Sequence, residues 1–239
     1  MDLSIIIPAY NEEKRIPRTL ESITSYLAKQ DYQAEVIVVS DGSTDKTVEI
    51  ASQFPVKVID NKINQGKGFV VKQGLIEAQG KYRLFMDADN STTIDHIEKV
   101  WPLLAQGNSL VIGTRDSRDV KEAKQVKPQS LLRRILGDLG NLLIQVVAVP
   151  GIWDTQCGFK VFTKEAVEKI FPKARIKRWG FDIEALFLAR VFKMKIALIP
   201  VLWSNDSESK VGLKGYIQVF KELFEIRLNY FKGYYHEER

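Results

Sequence analysis

Five short apolar runs, each leading into polar or acidic residues, constrain this chain more than any other feature. They occupy residues 3–8, 35–40, 56–60, 82–87 and 109–114. Their Ile, Val and Leu residues run together instead of alternating, the pattern of strands buried on both faces. Between them lie segments with helical periodicity, residues 12–28, 44–53, 66–78 and 92–104. Strand–helix alternation of this kind predicts an α/β fold, a mostly parallel sheet flanked by helices. No repeat, low-complexity tract or linker interrupts the 239 residues. The expectation is a single domain over 1–239.

The ends of these runs carry the chemistry. Ile5-Ile6-Ile7 leads into Pro8-Ala9-Tyr10-Asn11-Glu12, residues 36–39 into Ser40-Asp41-Gly42-Ser43-Thr44-Asp45, and Leu84-Phe85-Met86 into Asp87-Ala88-Asp89. Ligands of open α/β sheets bind beyond the carboxyl ends of the strands, so the three clusters should converge on one crevice. Helix capping accounts for Asn11 and Thr44. It does not account for Asp41, Asp87 and Asp89 together, where unpaired carboxylates repel. In an extended chain, residues two apart point the same way. Asp87 and Asp89 therefore call for a divalent cation, and oxygen ligands favour Mg²⁺ or Mn²⁺. Gly66-Lys67-Gly68 adds close backbone approach and a cation at a helix start, which suits an anion. It is not a phosphate loop of the Walker type, because Asn61 and Gly68 break that pattern.

Charge is uneven. The net charge is +5, yet residues 115–134 hold seven Lys/Arg against three acids and residues 160–178 seven against two. Either an anionic partner or a solvated surface explains such clusters. A lone cysteine, Cys157, excludes an internal disulfide and fits a reducing compartment. Two histidines, His96 and His236, are too few for a His-rich zinc site. The longest uncharged stretches, 100–114 and 139–153, fall short of the ~20 residues of a membrane span. The run 3–8 is too short for a secretory signal. A soluble or membrane-surface protein is expected.

Two later segments are amphipathic. Over residues 129–149, apolar side chains recur every three to four positions, with Arg133, Arg134, Asp138, Asn141 and Gln145 on the other side. A core-facing helix fits this pattern. So does an interfacial helix with its apolar face in lipid, where each basic residue near an anionic bilayer contributes ~1 kcal/mol. Residues 215–235 carry an aromatic stripe of Tyr216, Phe220, Phe224, Phe231 and Tyr235. Core packing is its default, and contact with a membrane interface is the alternative. Residues 204–210 read as a polar loop.

Taken together, residues 7–13, 40–45, 66–68 and Asp87-Ala88-Asp89 resemble the inverting glycosyltransferases of family 2, which have the Rossmann-like GT-A fold. Gly113-Thr114-Arg115, Asp154-Thr155-Gln156-Cys157-Gly158-Phe159-Lys160 and residues 178–184 resemble its dolichyl-phosphate glucose and mannose synthase branch, with wording closest to the dolichyl-phosphate β-glucosyltransferases. The resemblance divides the domain into a nucleotide-sugar and metal half (1–114), an acceptor half (115–212) and a C-terminal amphipathic helix (213–239). It implies that Pro8, Ala9, Tyr10, Glu12, Asp41, Lys67, Asp87 and Ala88 bind the donor. Asp89, aided by Asp87, would hold Mg²⁺ or Mn²⁺, and Arg115, Arg133 and Arg134 would hold the acceptor phosphate. Some relatives place a Gln ligand two residues beyond the acidic pair; here that position is Ser91. A loop near residue 210 closes over the donor in such enzymes, with Lys210 as a phosphate contact.

The implied reaction passes a hexose, with inversion, from a nucleotide sugar to a polyprenyl phosphate at the cytoplasmic membrane face. UDP-glucose is the favoured donor and GDP-mannose the other option. A phosphate monoester is already ionised near neutrality, since its second pKa is ~6. Arginines then hold it, and no strong base is required. A sugar hydroxyl of a glycolipid or polysaccharide is the alternative acceptor. It would need a carboxylate base contributing ~10²–10⁴-fold, with Asp154 or Asp182 as candidates; Asp182 and Glu184 also suit a capping role at a helix start. A non-catalytic anion-binding module would explain the basic clusters but not Asp41, Asp87 and Asp89. The expected partners are therefore a nucleotide sugar, a lipid phosphate and a peripheral membrane surface, without nucleic acid.

Overall fold

The computed structural model describes residues 1–125, 131–203 and 213–236; side chains at 124, 125, 131–136, 138, 139, 213, 214 and 216 are outside that description. In chain order the strands are β1 (Leu3–Ala9), β2 (Ala34–Asp41), β3 (Lys57–Asn61), β4 (Tyr82–Met86), β5 (Leu110–Thr114), β6 (Lys124–Gln125), β7 (Phe159–Thr163), β8 (Ile196–Pro200) and β9 (Leu202–Trp203). Seven of them form one sheet in the order β3-β2-β1-β4-β7-β5-β8, and β6 pairs with β9 separately. All neighbours in the large sheet run parallel except β7, which is antiparallel to both β4 and β5. The expected mostly parallel α/β sheet is the fold.

The helices are α1 (Ile16–Leu27), α2 (Thr47–Ala51), α3 (Lys67–Glu77), α4 (Trp101–Ala105), α5 (Leu131–Val147), α6 (Lys164–Ile170), α7 (Phe181–Val191) and α8 (Leu213–Phe231). They cover both faces of the sheet. Ile5, Ile7, Val38 and Leu84 face α1 and α4, while Ile6, Val39, Phe85 and Ile112 face α3, α6 and α7. Strands β1 and β2 are buried on both faces over most of their length, as continuous apolar runs require.

Three sequence expectations need correction. The run 56–60 becomes β3, an edge strand with exposed Lys57 and Asp60, not a strand buried on both faces. The helix expected over 92–104 is instead a 3-10 segment, Ile94–Lys99, followed by α4. Pro102 sits in the first turn of α4, where its missing N–H is harmless, and cannot continue the preceding turns. Pro17 likewise sets the start of α1 at Ile16, four residues later than the pattern suggested.

Both amphipathic segments divide their apolar residues between core and surface. On α5, Ile144 is buried while Leu142 and Val146 are 51% and 74% exposed. On α8, Leu223 and Ile226 are buried, whereas Ile217, Phe224, Leu228 and Phe231 are exposed. At 100° per residue these two sets lie on opposite sides of α8. The helices pack together where Phe220 approaches Gly140. Among the described residues, no helix is long and apolar enough to cross a membrane.

Helix α3 lies flush on the sheet and so delivers Lys67 to the carboxyl edge of β1 and β4. Gly74 makes the close approach: a Cβ there would fall 2.5 Å from Ile6 Cγ2 and 3.0 Å from Val39 Cγ2. Gly74→Ala gains helix propensity but overpacks this contact. It should destabilise the fold by about 1–3 kcal/mol, measured as a lower urea midpoint with an unchanged slope.

Candidate active site

The strand-end clusters converge as the alternation requires. The loops after β1 and β2 clasp each other: Asn11 N donates to Ser43 Oγ (3.2 Å), Thr44 N to Asn11 Oδ1 (2.8 Å), and Glu12 N to Thr47 Oγ1 (2.7 Å). Pro8 and Ala9 are buried at the end of β1, Tyr10 is exposed, and Glu12 pairs with Arg15 at 2.6 Å. Asp41, at the end of β2, accepts hydrogen bonds from Gln65 N (2.7 Å) and Gly66 N (2.9 Å). Its carboxyl is pushed up by burial, and these bonds partly counter the shift. Asp41 therefore holds the turn before α3, where Gly66 has φ +107° and a Cβ would lie 2.5 Å from Lys177 O. Only glycine suits that position.

The antiparallel strand explains how the second half of the chain reaches this edge. Because β7 begins where β4 and β5 end, residues 154–158 enter the sheet between Asp87 and Arg115. Asp87 N donates to Gly158 O (3.2 Å), and the Asp87 carboxylate lies so close to Gly158 that a Cβ would collide with it. Lys67 Nζ, from the start of α3, is 2.5 Å from Asp87 Oδ1 and 5.7 Å from the Trp179 ring centre. Burial alone would raise the Asp87 carboxyl, but Lys67 outweighs it and holds it below the usual range. Burial, and then the Asp87 charge, raises its neighbour Asp89, which accepts from Ser91 N at 2.9 Å. The carbonyl of Ala88 is fixed by Thr19 Oγ1 at 2.7 Å.

A buried pair adjoins the half-buried pair of Lys67 and Asp87. Lys160, on β7, is 1% exposed; its Nζ is 2.6 Å from Asp182 Oδ1 and donates to Cys157 O at 2.5 Å. Burial raises the Asp182 carboxyl, with Lys160 and Lys67 pulling against it. Lysine at this depth is tolerated only when paired and hydrogen-bonded. The pattern reading missed both β7 and this role of Lys160, because a charge inside a five-residue apolar run hides the strand. Its visible signal was the lysine itself, flanked by Phe159 and Val161.

A third pair lies across Gly158. Asp154 accepts from Arg115 at three points, backbone N (2.8 Å), Nε (2.7 Å) and NH2 (2.7 Å). Burial would raise Asp154, but Arg115 dominates and keeps it below the ordinary carboxylate range. A carboxylate so occupied is a poor proton acceptor, and its evident work is to aim Arg115. Asp119 arranges that clamp by accepting from Thr114 Oγ1, Trp153 N and Asp154 N at 2.8–2.9 Å. Trp203 lies against the Arg115 guanidinium, 5.2 Å from its centre. The Cys157 thiol is buried and pushed up to about 12, so it is inert.

Asp87, Asp89, Lys67, Asp182, Asp154 and Arg115 thus share one edge of the sheet. Arg133 and Arg134 lie in α5 with side chains outside the described set, and Lys210 and the loop 204–210 are outside the described residues. Asp87 and Asp89 offer hard carboxylate oxygens, and the buried Asn90 Oδ1 beside them has no hydrogen-bond partner. That donor chemistry fits Mg²⁺ or Mn²⁺. Among the described residues, no cluster of three acidic, His or Cys ligands forms.

Solved structures share this architecture. Glucosyl-3-phosphoglycerate synthase from Mycobacterium tuberculosis, in complex with Mn²⁺, UDP-glucose and phosphoglyceric acid, superposes with a TM-score of 0.71 at 19% identity, covering 94% of this chain and 79% of its own. TarS from S. aureus, in complex with UDP-GlcNAc, gives 0.60 at 21% identity, covering 96% and 67%. At such identities the likeness establishes the GT-A-like fold. The sequence profile of Glycosyl transferase family 2 matches residues 4–171, and the chain is a member of that family, a glycosyltransferase. Among its relatives, dolichyl-phosphate beta-glucosyltransferase of Homo sapiens is 36% identical over 253 residues, covering 97% of this chain and 76% of the relative. The Saccharomyces cerevisiae protein of that name is 34% identical, covering 99% and 77%.

Asp154→Asn should cost about 3–5 kcal/mol at neutral pH, because it strands the Arg115 charge. The folded-state carboxyl lies below its unfolded value, so its stabilisation is complete above the ordinary range and lost as pH falls through the folded value. Denaturant unfolding of wild type and variant should therefore differ most near neutral pH and converge in acid.

Proposed function

We propose that the chain transfers glucose from UDP-glucose to a polyprenyl phosphate of the dolichyl type, with inversion, at a membrane surface. The observation that carries this reading is the cluster of charges around Gly158. A cationic Lys67 and the Asp87–Asp89 pair stand on one side, and an arginine aimed by Asp154 stands on the other. The first group suits a sugar diphosphate and the second a phosphate acceptor. The names of the relatives support the donor and acceptor, and the Mn²⁺ and UDP-glucose of the mycobacterial structure support the cofactor.

Asp89 and Asp87 would hold Mg²⁺ or Mn²⁺, which when bound offsets negative charge on a departing diphosphate. Lys67 adds a cation preset by its ion pair with Asp87. Pro8, Ala9, Tyr10 and Glu12 border the donor from β1, and Asp41 fixes the turn from which Lys67 projects. Arg115, with Arg133 and Arg134, would hold the acceptor dianion, whose ionised oxygen attacks without a strong base. Asp182, paired with Lys160, then shapes the field near the reacting centre. A hydroxyl acceptor is the second reading, favoured by the burial of Asp182, the carboxylate best placed to take a proton.

The exposed residues Leu142 and Val146 of α5 and Ile217, Phe224, Leu228 and Phe231 of α8 form the membrane-facing side in this reading. Apolar contact of this kind together with basic residues gives reversible, peripheral binding.

Incubation with a panel of nucleotide sugars, Mn²⁺ and polyprenyl phosphate, followed by mass spectrometry of the organic phase, should yield a hexosyl lipid with UDP-glucose and none with EDTA. Arg133→Ala should cripple acceptor use, while Asp182→Asn lowers kcat only modestly. The reverse ranking would assign a hydroxyl acceptor. Phe224→Ser with Phe231→Ser should release the protein from anionic vesicles in sedimentation while leaving UDP binding intact.

A further inference from the structure

Residues 175–180 form a strap across the donor side. Its carbonyls hold the start of α3: Gly68 N donates to Arg178 O (3.2 Å) and Phe69 N to Lys177 O (3.0 Å). Trp179 O accepts from Gln156 Nε2 (3.3 Å), and the Trp179 ring lies beside Lys67. Two buried carboxylates fasten the ends of the strap. Glu184 of α7 accepts from Arg175 N and Ile176 N, and its other contact is Tyr235 Oη at 2.5 Å. Glu222 of α8 accepts from Gly180 N at 2.6 Å through Oε2 and from Gln218 Nε2 at 2.8 Å through Oε1. Glu222 is 4% exposed and lies on the side of α8 away from Phe224 and Phe231. Gly180 has no room for a side chain, since a Cβ would fall 2.9 Å from Glu222 Cβ.

We propose that Glu222 is a positioning residue for the donor site, acting through Gly180 and the strap on Lys67. Resting on the reading of a UDP-sugar donor, it places part of the donor site in α8, beyond the stretch 4–171 that the family profile matches. A carboxylate buried at the start of α7 is justified by what it holds. Without it, the strap loses its anchor at the Trp179 end, and Gly68 and Lys67 lose the fixed surface they rest on.

The test compares Glu222→Ala with Glu222→Gln, which keeps an acceptor oxygen at the same reach. Calorimetric titration with UDP in the presence of Mn²⁺ should show affinity falling at least about tenfold in Glu222→Ala and within about threefold of wild type in Glu222→Gln. In turnover, the KM for UDP-glucose should rise in Glu222→Ala while the KM for the lipid phosphate and vesicle sedimentation stay unchanged. A folded Glu222→Ala that binds UDP like wild type overturns the proposal, as does an equal rise in both KM values. Should Glu222→Ala unfold, Glu222→Asp, shorter by one methylene, takes its place with the same two outcomes. Wild type that binds UDP yet glucosylates no lipid phosphate would sink the acceptor reading alone. Wild type that binds no UDP would sink both.

Discussion

Carboxylates gathered from several strand ends cannot share a buried crevice unless cations arrive with them, and this constraint organises the molecule. Asp87, Asp154 and Asp182 each meet one partner, Lys67, Arg115 and Lys160 respectively, at 2.5–2.7 Å. The partners come from elements far apart in the chain, so the charges balance only when β4, β5, β7, α3 and α7 are all in place. The site is thus a product of the whole fold. Asp89 is raised by burial and then by the charge of Asp87 beside it, which is where a divalent ion brings relief.

Much of this was legible in the residues. Continuous apolar runs marked most of the parallel strands, though not their order in the sheet, and the polar clusters that follow them located the edge where polar and charged side chains gather. The parts that could not be read depend on contacts between distant segments. Strand β7 is disguised by Lys160, whose charge becomes acceptable only beside Asp182. Asp119 looks like an ordinary surface acid in a basic stretch, yet three hydrogen bonds make it the organiser of Asp154. Asp154 itself read as a candidate base, while its position under Arg115 gives it a holding role. Periodicity marked 129–149 and 215–235 as amphipathic but could not apportion their apolar residues. Each helix has enough of them to serve the core and to leave a second face outside.

That double allocation unites the two ends of the proposed reaction. The inner side of α8 supplies Leu223, Ile226 and Glu222 to the body of the domain, and the outer side presents Phe224 and Phe231. In the proposed reaction, one rigid element would therefore lie between the lipid-facing surface and the strap that packs against Lys67. The solved neighbours share the fold, and a shared fold does not by itself fix the acceptor.

The reversed strand also guards its own alignment. In β7, Phe159 and Val161 join the layer with Leu84, Met86 and Val111, while Lys160 and Phe162 face the other way. Sliding the strand by one residue would turn the ammonium into that hydrocarbon layer and leave Asp182 without its counter-ion. Such a misthreaded sheet would be heavily penalised, so the buried ion pair of Lys160 also opposes mispairing of the strand while the chain folds.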